Sequence, residues 1–270
     1  MVVASLRHAG EELLGQRKGL EAYARTGSTM GIPLLHPWAN RLGGFAYSFG
    51  GREAVIERDS PDVRLEEHGL PNHGLRSAVT GWRVVEAGSE RAVAGLDYPG
   101  SPGFPFPHRI EVAIELVDDT LALTTTLTAR DVDVPVCFGH HPYLRLHGVP
   151  RADWEIHAPV GEHLLLDDRK VPNGEREPAG SIDGPLGTRT FDDAYTVAGG
   201  PFAVAGGGRR IEVSFDRGYP FTQIFAPDVD DVVCFEPMTA PADALRHGPP
   251  AVAAGEAFSA RFSISVTRAS

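Results

Sequence analysis

The sequence predicts an all-β protein built as a large antiparallel β-sandwich. The chain has 270 residues, of which 31 are glycine and 22 are proline, so it must turn often. Several segments alternate apolar and polar residues with the period of two that is typical of a half-buried strand. In contrast, no apolar stripe with helical spacing extends beyond about two turns. Together these observations favour many short strands joined by tight connections.

The length of the chain suits one large all-β domain. No linker-like tract interrupts the sequence, and no segment of it repeats. We therefore expect a single domain over residues 1–270.

The clearest predicted element is a β-hairpin in the middle of the chain. Apolar residues alternate with polar or small ones over residues 110–116 and again over residues 121–127, and Asp118, Asp119 and Thr120 supply a turn between them. Such a pattern predicts two paired strands that share one buried face.

The same alternation recurs twice toward the C-terminus. Residues 211–215 alternate after a turn at Gly206-Gly207-Gly208, and residues 258–266 alternate near the end of the chain. The most helical stretch, residues 242–245, is long enough for one turn at most.

The bulk composition excludes several classes of function. A net charge of −11 argues against a nucleic-acid partner, which requires a basic surface. No apolar run is long enough to span a bilayer, and residues 1–14 lack the basic and apolar regions of a signal peptide. Cys137 and Cys234 lie in apolar runs, so we expect buried free thiols rather than a disulfide. These features predict a cytoplasmic protein without a membrane partner.

Polar residues suited to catalysis or ligand binding concentrate in five apolar or glycine-rich clusters. We expect such groups at strand ends and in loops on one face of the sandwich. The clusters are GIPLLHPWANRLGG at 31–44, LPNHGL at 70–75, FGHHPYLRL at 138–146, FDDAY at 191–195 and VVCFEPMTAP at 232–241.

Glu236 is the strongest single candidate for catalysis. It follows the apolar run at 232–235, which places it at the end of a buried strand. Burial of a carboxyl group raises its pKa toward the values that suit a general base. His140 and His141 are adjacent, so on a strand they point to opposite faces and only one of them can serve a given pocket.

Purely structural roles compete with these interpretations. Asp192 and Asp193 could cap a turn, and His73 could be a turn residue bonded to the backbone. Arg41 could stack on Trp38 at the surface.

Other chemistries lack their usual motifs. The sequence has no HExxH, no paired CxxC and no His-x-His, so we expect no catalytic metal and no other cofactor. The glycine run at 206–208 leads into two arginines and a strand rather than a phosphate-binding Lys-Ser/Thr, and no G-x-S-x-G elbow is present.

Taken in order, the five clusters resemble the aldose 1-epimerase (mutarotase) superfamily. The stretches that carry the resemblance are GIPLLHPWANRLGG, NHGL, GHHPYLRL, FDDAY and FEPMTAPADAL, and weaker similarity extends over roughly residues 5–266. The resemblance implies the galactose mutarotase-like supersandwich, in agreement with the pattern of strands. It also implies a small-molecule sugar as the partner.

The resemblance further implies a role for each matching residue. Glu236 would be the base that takes the proton of the C1 hydroxyl, and His141 the acid that protonates the ring oxygen. His73 would orient the sugar at or near its ring oxygen. The sugar hydroxyls would be bound by Arg41 and Asp192, with Asn40 beside them, while Trp38, Tyr143 or Phe221 would offer an aromatic face.

One motif departs from the family pattern. The sequence after His73 brings Arg76 closer than usual and places Trp82 at a different spacing. Arg76 and Arg41 would form a phosphate site if the substrate were phosphorylated, and the altered spacing leaves this open.

Three functions follow as hypotheses. The first is an aldose 1-epimerase that interconverts the α and β anomers of a free hexose. The second is a hexose-6-phosphate 1-epimerase, and the third is a non-catalytic sugar-binding module on the same fold. The sequence does not indicate an oligomeric state.

Overall fold

A computed structural model describes residues 1–268 of the protein. Strands hold 53% of its residues and helices 6%, which confirms the predicted all-β class. Among the described residues, no helix has the length and apolar character needed to cross a membrane.

The strands are short near the N-terminus and longer in the middle and at the end of the chain. In the first half they are β1 Val2–Val3, β2 Arg7–His8, β3 Glu11–Glu12, β4 Ile32–Leu35, β5 Ala46–Phe49, β6 Arg52–Val55, β7 Val63–Leu65, β8 Pro71–Leu75, β9 Arg83–Ala87, β10 Arg91–Tyr98, β11 His108–Val117, β12 Thr120–Ala129, β13 Val134–Pro135 and β14 Gly139–His140. In the second half they are β15 Glu155–Leu166, β16 Pro172–Pro178, β17 Ser181–Pro185, β18 Phe191–Val197, β19 Phe202–Gly206, β20 Arg209–Arg217, β21 Phe221–Ala226, β22 Cys234–Met238, β23 Ala251–Val252 and β24 Ala257–Arg268. The helices are α1 Gly19–Thr26 and three single 3₁₀ turns, Arg76–Ala78, Arg151–Asp153 and Ala244–Arg246.

Sixteen strands form one antiparallel sheet that bends over at β15. The order along the sheet is β1-β4-β14-β22-β21-β18-β15-β19-β20-β24-β12-β11-β10-β9, with β16 and β17 also paired to β15. The first residues of β15, from Glu155 to His157, pair with β19, whereas Val160, His163 and Leu164 pair with β18. One long strand therefore belongs to both halves of the sheet.

The two halves pack face to face as a sandwich. We call β1, β4, β14, β22, β21 and β18 the front layer, and β19, β20, β24, β12, β11, β10 and β9 the back layer. Phe235 of the front layer lies with its ring centroid 5.4 Å from that of Phe202 in the back layer, and the rings of His140 and Phe262 meet across the core at 5.1 Å. The side chains that point inward between the layers are buried. Because side chains alternate along a strand, the residues between them in the front layer point to its outer face.

The predicted strands form in the back layer. The hairpin is β11 and β12, joined at Asp118 and Asp119, and β12 pairs along its length with β24 near the C-terminus. Gly207 and Gly208 form the turn between β19 and β20, and Gly206 is the last residue of β19. Cys137 and Cys234 are both buried free thiols, as expected.

Two predictions from the pattern need correction. Glu236 does not end its strand, because β22 continues through Pro237 to Met238. Helix α1 was not expected; it is eight residues long and none of them is buried. It ends at Gly27, whose left-handed φ of 73° favours glycine.

Candidate active site

A cavity of about 350 Å³ opens on the outer face of the front layer. Of the eight residues that the sequence singles out, the structure brings six to its wall and leaves two outside. The six are Asn40, Arg41, His73, His141, Asp192 and Glu236.

Three neighbouring strands form the floor of the cavity. Gln223 on β21 lies opposite Glu236 on β22 in the ladder, and its amide nitrogen donates to Oδ1 of Asp192 on β18 at 2.7 Å. Phe225 lies two residues beyond Gln223 and therefore on the same face. Glu236 and Gln223 project from the middle of their strands, so the expectation that such groups lie at strand ends and in loops is wrong for Glu236, whereas Asp192 is the second residue of β18.

The alternation of β22 and β18 decides which carboxylate faces the cavity. Phe235 points into the core, so Glu236 points the opposite way. In the same manner Asp192 faces the cavity, while Asp193 lies on the other face with its Oδ1 3.8 Å from Nε2 of His163.

His141 and Glu236 form a buried pair at the centre of the site. Nε2 of His141 lies 3.1 Å from Oε1 of Glu236, and the two side chains are 5% and 2% exposed. Burial raises the pKa of Glu236 well above its usual value, and the charge of Asp192 raises it further. Burial also lowers the pKa of His141, as do the charges of Arg17 and Arg64. Both shifts favour the form of the pair in which Glu236 is protonated and His141 is neutral.

The second polar atom of each side chain in this pair has no partner among residues 1–268. Oε2 of Glu236 and Nδ1 of His141 are both buried and make no hydrogen bond. Buried polar atoms normally have a hydrogen-bond partner. Two neighbouring buried atoms without one are therefore typical of a place where a ligand binds.

Aromatic rings hold His141 in position. The ring of Tyr143 stacks on it, with centroids 4.1 Å apart and planes 10° from parallel, and Phe225 meets its edge at 5.6 Å. His140, the adjacent histidine, points into the core and bonds the hydroxyl of Thr125 at 2.9 Å. The prediction that only one of the two histidines reaches the pocket is confirmed.

His73 reaches the site through an unusual backbone turn. It has a φ of 61° and Gly74 a φ of 78°, both left-handed. Its Nδ1 accepts the backbone N–H of Asn40 at 3.3 Å, and burial lowers its pKa, so the neutral ring carries its proton on Nε2. The ring lies edge-on to His141 with centroids 5.7 Å apart. His73 can therefore donate a hydrogen bond beside the His141–Glu236 pair.

Arg41 is fixed by two carboxylates. Its Nε donates to Glu66 at 3.2 Å and its Nη2 to Asp192 at 2.9 Å. Burial works to lower the pKa of Arg41, but these two partners outweigh it and the pKa is raised. Asn40, with a φ of 58°, accepts the backbone N–H of Arg41 on Oδ1 at 2.8 Å. The guanidinium is thus a permanent, oriented donor at the rim of the floor.

Two predicted residues lie outside the cavity. Arg76 donates to the carbonyls of Ala24 and Arg25 at the end of α1, so the phosphate site predicted from Arg41 and Arg76 is not formed. Trp38 is 2% exposed and packs in the core. Tyr143 and Phe225 are the aromatic residues of the cavity wall, whereas Phe221 lines a different cavity.

Sequence reasoning missed several residues of the wall. Gln223 carried a signal, since a glutamine inside the apolar strand Phe221–Ala226 is unusual for a buried position. Arg17, Arg64 and Glu66 carried none, because their segments have no strand or turn pattern that points to a site. Only the tertiary fold brings them to the cavity.

One group of side chains near the rim has the composition of a metal site. Ligand atoms of Glu66, Glu67 and His68 lie within 4.8 Å of one another. However, Oε2 of Glu66 accepts from Arg41, and its Oε1 accepts the backbone N–H groups of His68 and Leu70. Glu66 is therefore engaged in fixing Arg41 and the loop that follows it.

Solved structures with the same fold include galactose mutarotase-like proteins. A galactose mutarotase-like protein from Clostridium acetobutylicum matches with a TM-score of 0.83 at 14% identity, covering 98% of this chain and 89% of its own. Galactose 1-epimerase from Lactobacillus acidophilus matches with a TM-score of 0.78 at 14% identity, over 100% and 89% of the two chains. A galactose mutarotase related enzyme from Lactobacillus acidophilus matches with a TM-score of 0.74 at 21% identity, over 96% and 88%. At identities of 14% to 21%, these similarities establish the fold and not the function.

The sequence itself shows the family. No curated protein matches the chain. The family model for aldose 1-epimerase, however, matches residues 2–265, which is almost the full length. Because that match spans the strands and every side chain of the cavity described above, the chain belongs to the aldose 1-epimerase family.

Proposed function

We propose that the protein interconverts the α and β anomers of a hexose by acid–base ring opening and reclosure. The observation that carries this proposal is the buried His141–Glu236 pair, 3.1 Å apart, whose two outer polar atoms lack partners. The cavity of about 350 Å³ falls within the range of small-molecule sites. Membership of the aldose 1-epimerase family supports the same reaction.

Ring opening needs one group that accepts a proton and one that donates a proton. The oxygens concerned, the C1 hydroxyl and the ring oxygen, are bonded to the same carbon, so acid and base must be close neighbours. The reactive form of the pair is the ion pair, with a carboxylate on Glu236 and the proton on His141. From this form Glu236 accepts the C1 hydroxyl proton, the bond from C1 to the ring oxygen breaks, and His141 protonates the released oxygen. The products are the open-chain aldehyde, a protonated Glu236 and a neutral His141.

Reclosure returns the enzyme to its starting state. The aldehyde rotates about its C1–C2 bond, and the hydroxyl that was the ring oxygen attacks the other face of C1. His141 now removes the proton from that hydroxyl and Glu236 returns a proton to the aldehyde oxygen. Because the pair holds one proton throughout, each step only relocates charge within a buried, neutral unit.

The remaining polar residues orient the sugar. His73 donates from Nε2 to the ring oxygen or a neighbouring hydroxyl. Arg41 and Asp192 bind hydroxyl groups on the opposite side, while Asn40 maintains the turn that holds His73 and Arg41 together. Tyr143 and Phe225 supply apolar contact for the C–H groups of the sugar.

The test is polarimetry of freshly dissolved α-glucose and α-galactose, with Glu236→Gln as the comparison. We expect the wild-type protein to accelerate mutarotation and Glu236→Gln to lose about 10²- to 10⁴-fold of that rate, as is usual for loss of a general base. Circular dichroism checks that the variant folds.

The same experiment separates the competing functions. A protein that binds these sugars without accelerating mutarotation of any hexose or hexose phosphate would be a sugar-binding module, and the enzymatic proposal would be wrong. Full activity in Glu236→Gln would reject Glu236 as the base while leaving the reaction intact.

A further inference from the structure

Three arginines line the cavity, and their charges are not equally compensated. Arg41 is paired with Glu66 and Asp192, and Arg17 is paired with Asp230, whose Oδ2 lies 3.0 Å from its Nη2. Arg64, in contrast, forms no ion pair with any carboxylate of residues 1–268, and its Nη1 is buried without a hydrogen-bond partner.

No nearby acidic side chain fills this role. Glu67 is the remaining carboxylate on the cavity wall, but it is 75% exposed and lies 3.5 Å from His68. Among residues 1–268, Arg64 is therefore the one arginine of the cavity wall whose guanidinium no carboxylate contacts.

Such an arrangement is costly for the empty protein. Burial lowers the pKa of Arg64, and the charge of Arg17 lowers it further, although the guanidinium remains protonated. A buried donor without an acceptor loses its hydration and gains nothing in return. Guanidinium groups in this state are typically matched by a carboxylate or phosphate, which they bind with two parallel hydrogen bonds.

Further donors lie on the same wall. Nη1 of Arg17 donates to the hydroxyl of Tyr143 at 3.2 Å, and that hydroxyl is bonded to Thr29 at 2.6 Å. Since Tyr143 stacks on His141, these donors lie on the His141 side of the cavity, and Arg64 is close enough to Arg17 and Tyr143 for their charges to act on it. A sugar bound by Arg41 and Asp192 would share the same cavity with this group.

We propose that Arg64, assisted by Arg17, binds an anionic group of the substrate, so that the preferred sugar is a hexose with a carboxylate or a phosphate. This inference rests on the proposed function and deepens it, because it names the class of sugar. It differs from the phosphate site predicted at Arg41 and Arg76, since it uses other residues on another wall.

The decisive experiment measures anomer exchange at equilibrium by NMR for matched sugars. D-Glucuronate and glucose 6-phosphate are compared with D-glucose, in the wild type and in Arg64→Ala, Arg64→Lys and the exposed control Arg52→Ala. We expect the wild type to favour at least one anionic sugar over glucose in kcat/KM by about 10-fold or more, the usual effect of a charge-assisted hydrogen bond.

The variants test whether Arg64 causes that preference. Arg64→Ala should lower the ratio of anionic to neutral kcat/KM by about 10-fold or more, mainly through KM, and Arg64→Lys should restore part of it. Arg52→Ala should leave the ratio unchanged. Equal loss for glucose and for the anionic sugars, or no anionic preference in the wild type, would overturn the proposal.

A binding measurement keeps this inference separate from the proposed reaction. Isothermal titration of the same proteins with D-glucuronate and with inorganic phosphate needs no turnover. Binding that is lost in Arg64→Ala supports the anion site even if no sugar is anomerised, and the response to each probe identifies carboxylate or phosphate as the group. Absence of binding to both would reject the site even if glucose is a substrate.

Discussion

Asp192 and Asp193 show how a single residue step separates a site residue from its neighbour. Asp192 accepts from both Arg41 and Gln223 on the cavity side, whereas Asp193 faces the opposite way toward His163. Sequence reasoning preferred Asp192 through resemblance alone. The structure supplies the physical reason, which is the alternation of side chains along β18.

The two aspartates make a matched pair of variants. Asp192→Asn removes the negative charge that holds Arg41, and we expect kcat/KM for the best hexose to fall by about 10- to 100-fold, the range for a hydrogen bond to a charged group. Asp193→Asn makes the same chemical change one residue away and should leave kcat/KM within about 3-fold. Equal losses in the two variants would show that Asp192 has no special role in the cavity.

Four buried histidines outside the His141–Glu236 pair are neutral in the folded protein and link stability to pH. Burial lowers the pKa of each of them, to about 4 for His108 and to about 3 for His140; the others are His36 and His73. In the unfolded chain these rings titrate near pH 6.5, so the unfolded state binds protons first as the pH falls. Stability should therefore be full above about pH 7 and decline through the range from about 6.5 toward 4.

Two histidine variants, one buried and one exposed, test this linkage. For each ring that stays neutral when folded, the free energy of unfolding should fall by about 1 kcal/mol as the pH is lowered from 7 to 5.5. Urea unfolding at the two pH values should show that the decline is smaller by about this amount in His140→Gln and unchanged in His147→Gln, where the replaced histidine is exposed. An undiminished decline in His140→Gln would mean that His140 does not stay neutral.

Among the elements, β8 depends on one glycine. Gly74 follows His73 with a φ of 78°, and a Cβ on it would lie 2.0 Å from the carbonyl oxygen of His36. The close approach of these two backbones brings His73 and the Asn40–Arg41 turn to one wall. It also explains why His73 precedes a glycine, which in the sequence was open to a simpler interpretation as an ordinary turn.

Gly74→Ala and Gly148→Ala separate steric clash from backbone strain. Gly148 has a similar φ of 75° but no atom within 4 Å of the added Cβ. Gly148→Ala should cost about 1–2 kcal/mol of unfolding free energy, the price of a left-handed alanine. Gly74→Ala should cost clearly more and also reduce kcat/KM, because His36 and His73 must move apart. Equal costs in urea unfolding would contradict the close approach.

The elements also show where sequence reasoning succeeds. The hairpin β11–β12 and the strands β20 and β24 alternate cleanly because one face is buried and the other is not. Helix α1 gave no such signal, because all its faces are at least partly exposed. The residues at 232–236 gave a misleading signal, since Pro237 after Glu236 reads as the end of a strand that in fact continues to Met238.

At the scale of the whole molecule, the front and back layers differ in the length of their strands. β11, β12 and β24 have ten to twelve residues each and pair along nearly all of them, whereas β1 and β14 have two. Long, fully paired and buried strands open least often. Stability is therefore expected to be greatest in the back layer, away from the cavity.

Hydrogen exchange followed by mass spectrometry can check this difference. We expect amides of β12 and β24 to exchange most slowly, and those of β1 and α1 most rapidly. Faster exchange in β12 than in the short front strands would contradict the expectation.

The site as a whole could be predicted only in part. Six of the eight residues singled out by sequence line the cavity, because each lies in a distinctive local motif that the family resemblance could match. Trp38 was placed wrongly because local sequence does not say which face of its segment is buried. Arg17 and Arg64 could not be found, since they reach the wall through contacts with distant parts of the chain.

The pairing of Glu236 with Gln223 has a consequence for how this protein can vary. On β22, Phe235 completes the core and Glu236 completes the cavity, so the insertion or loss of one residue would exchange their places. The phenylalanine would then enter the cavity and the carboxylate the sandwich interior. We therefore expect the proposed activity and the packing of the core to be lost together when one residue is inserted into β22 or removed from it. If the proposed activity is measured in a variant of this strand, its front layer is in register.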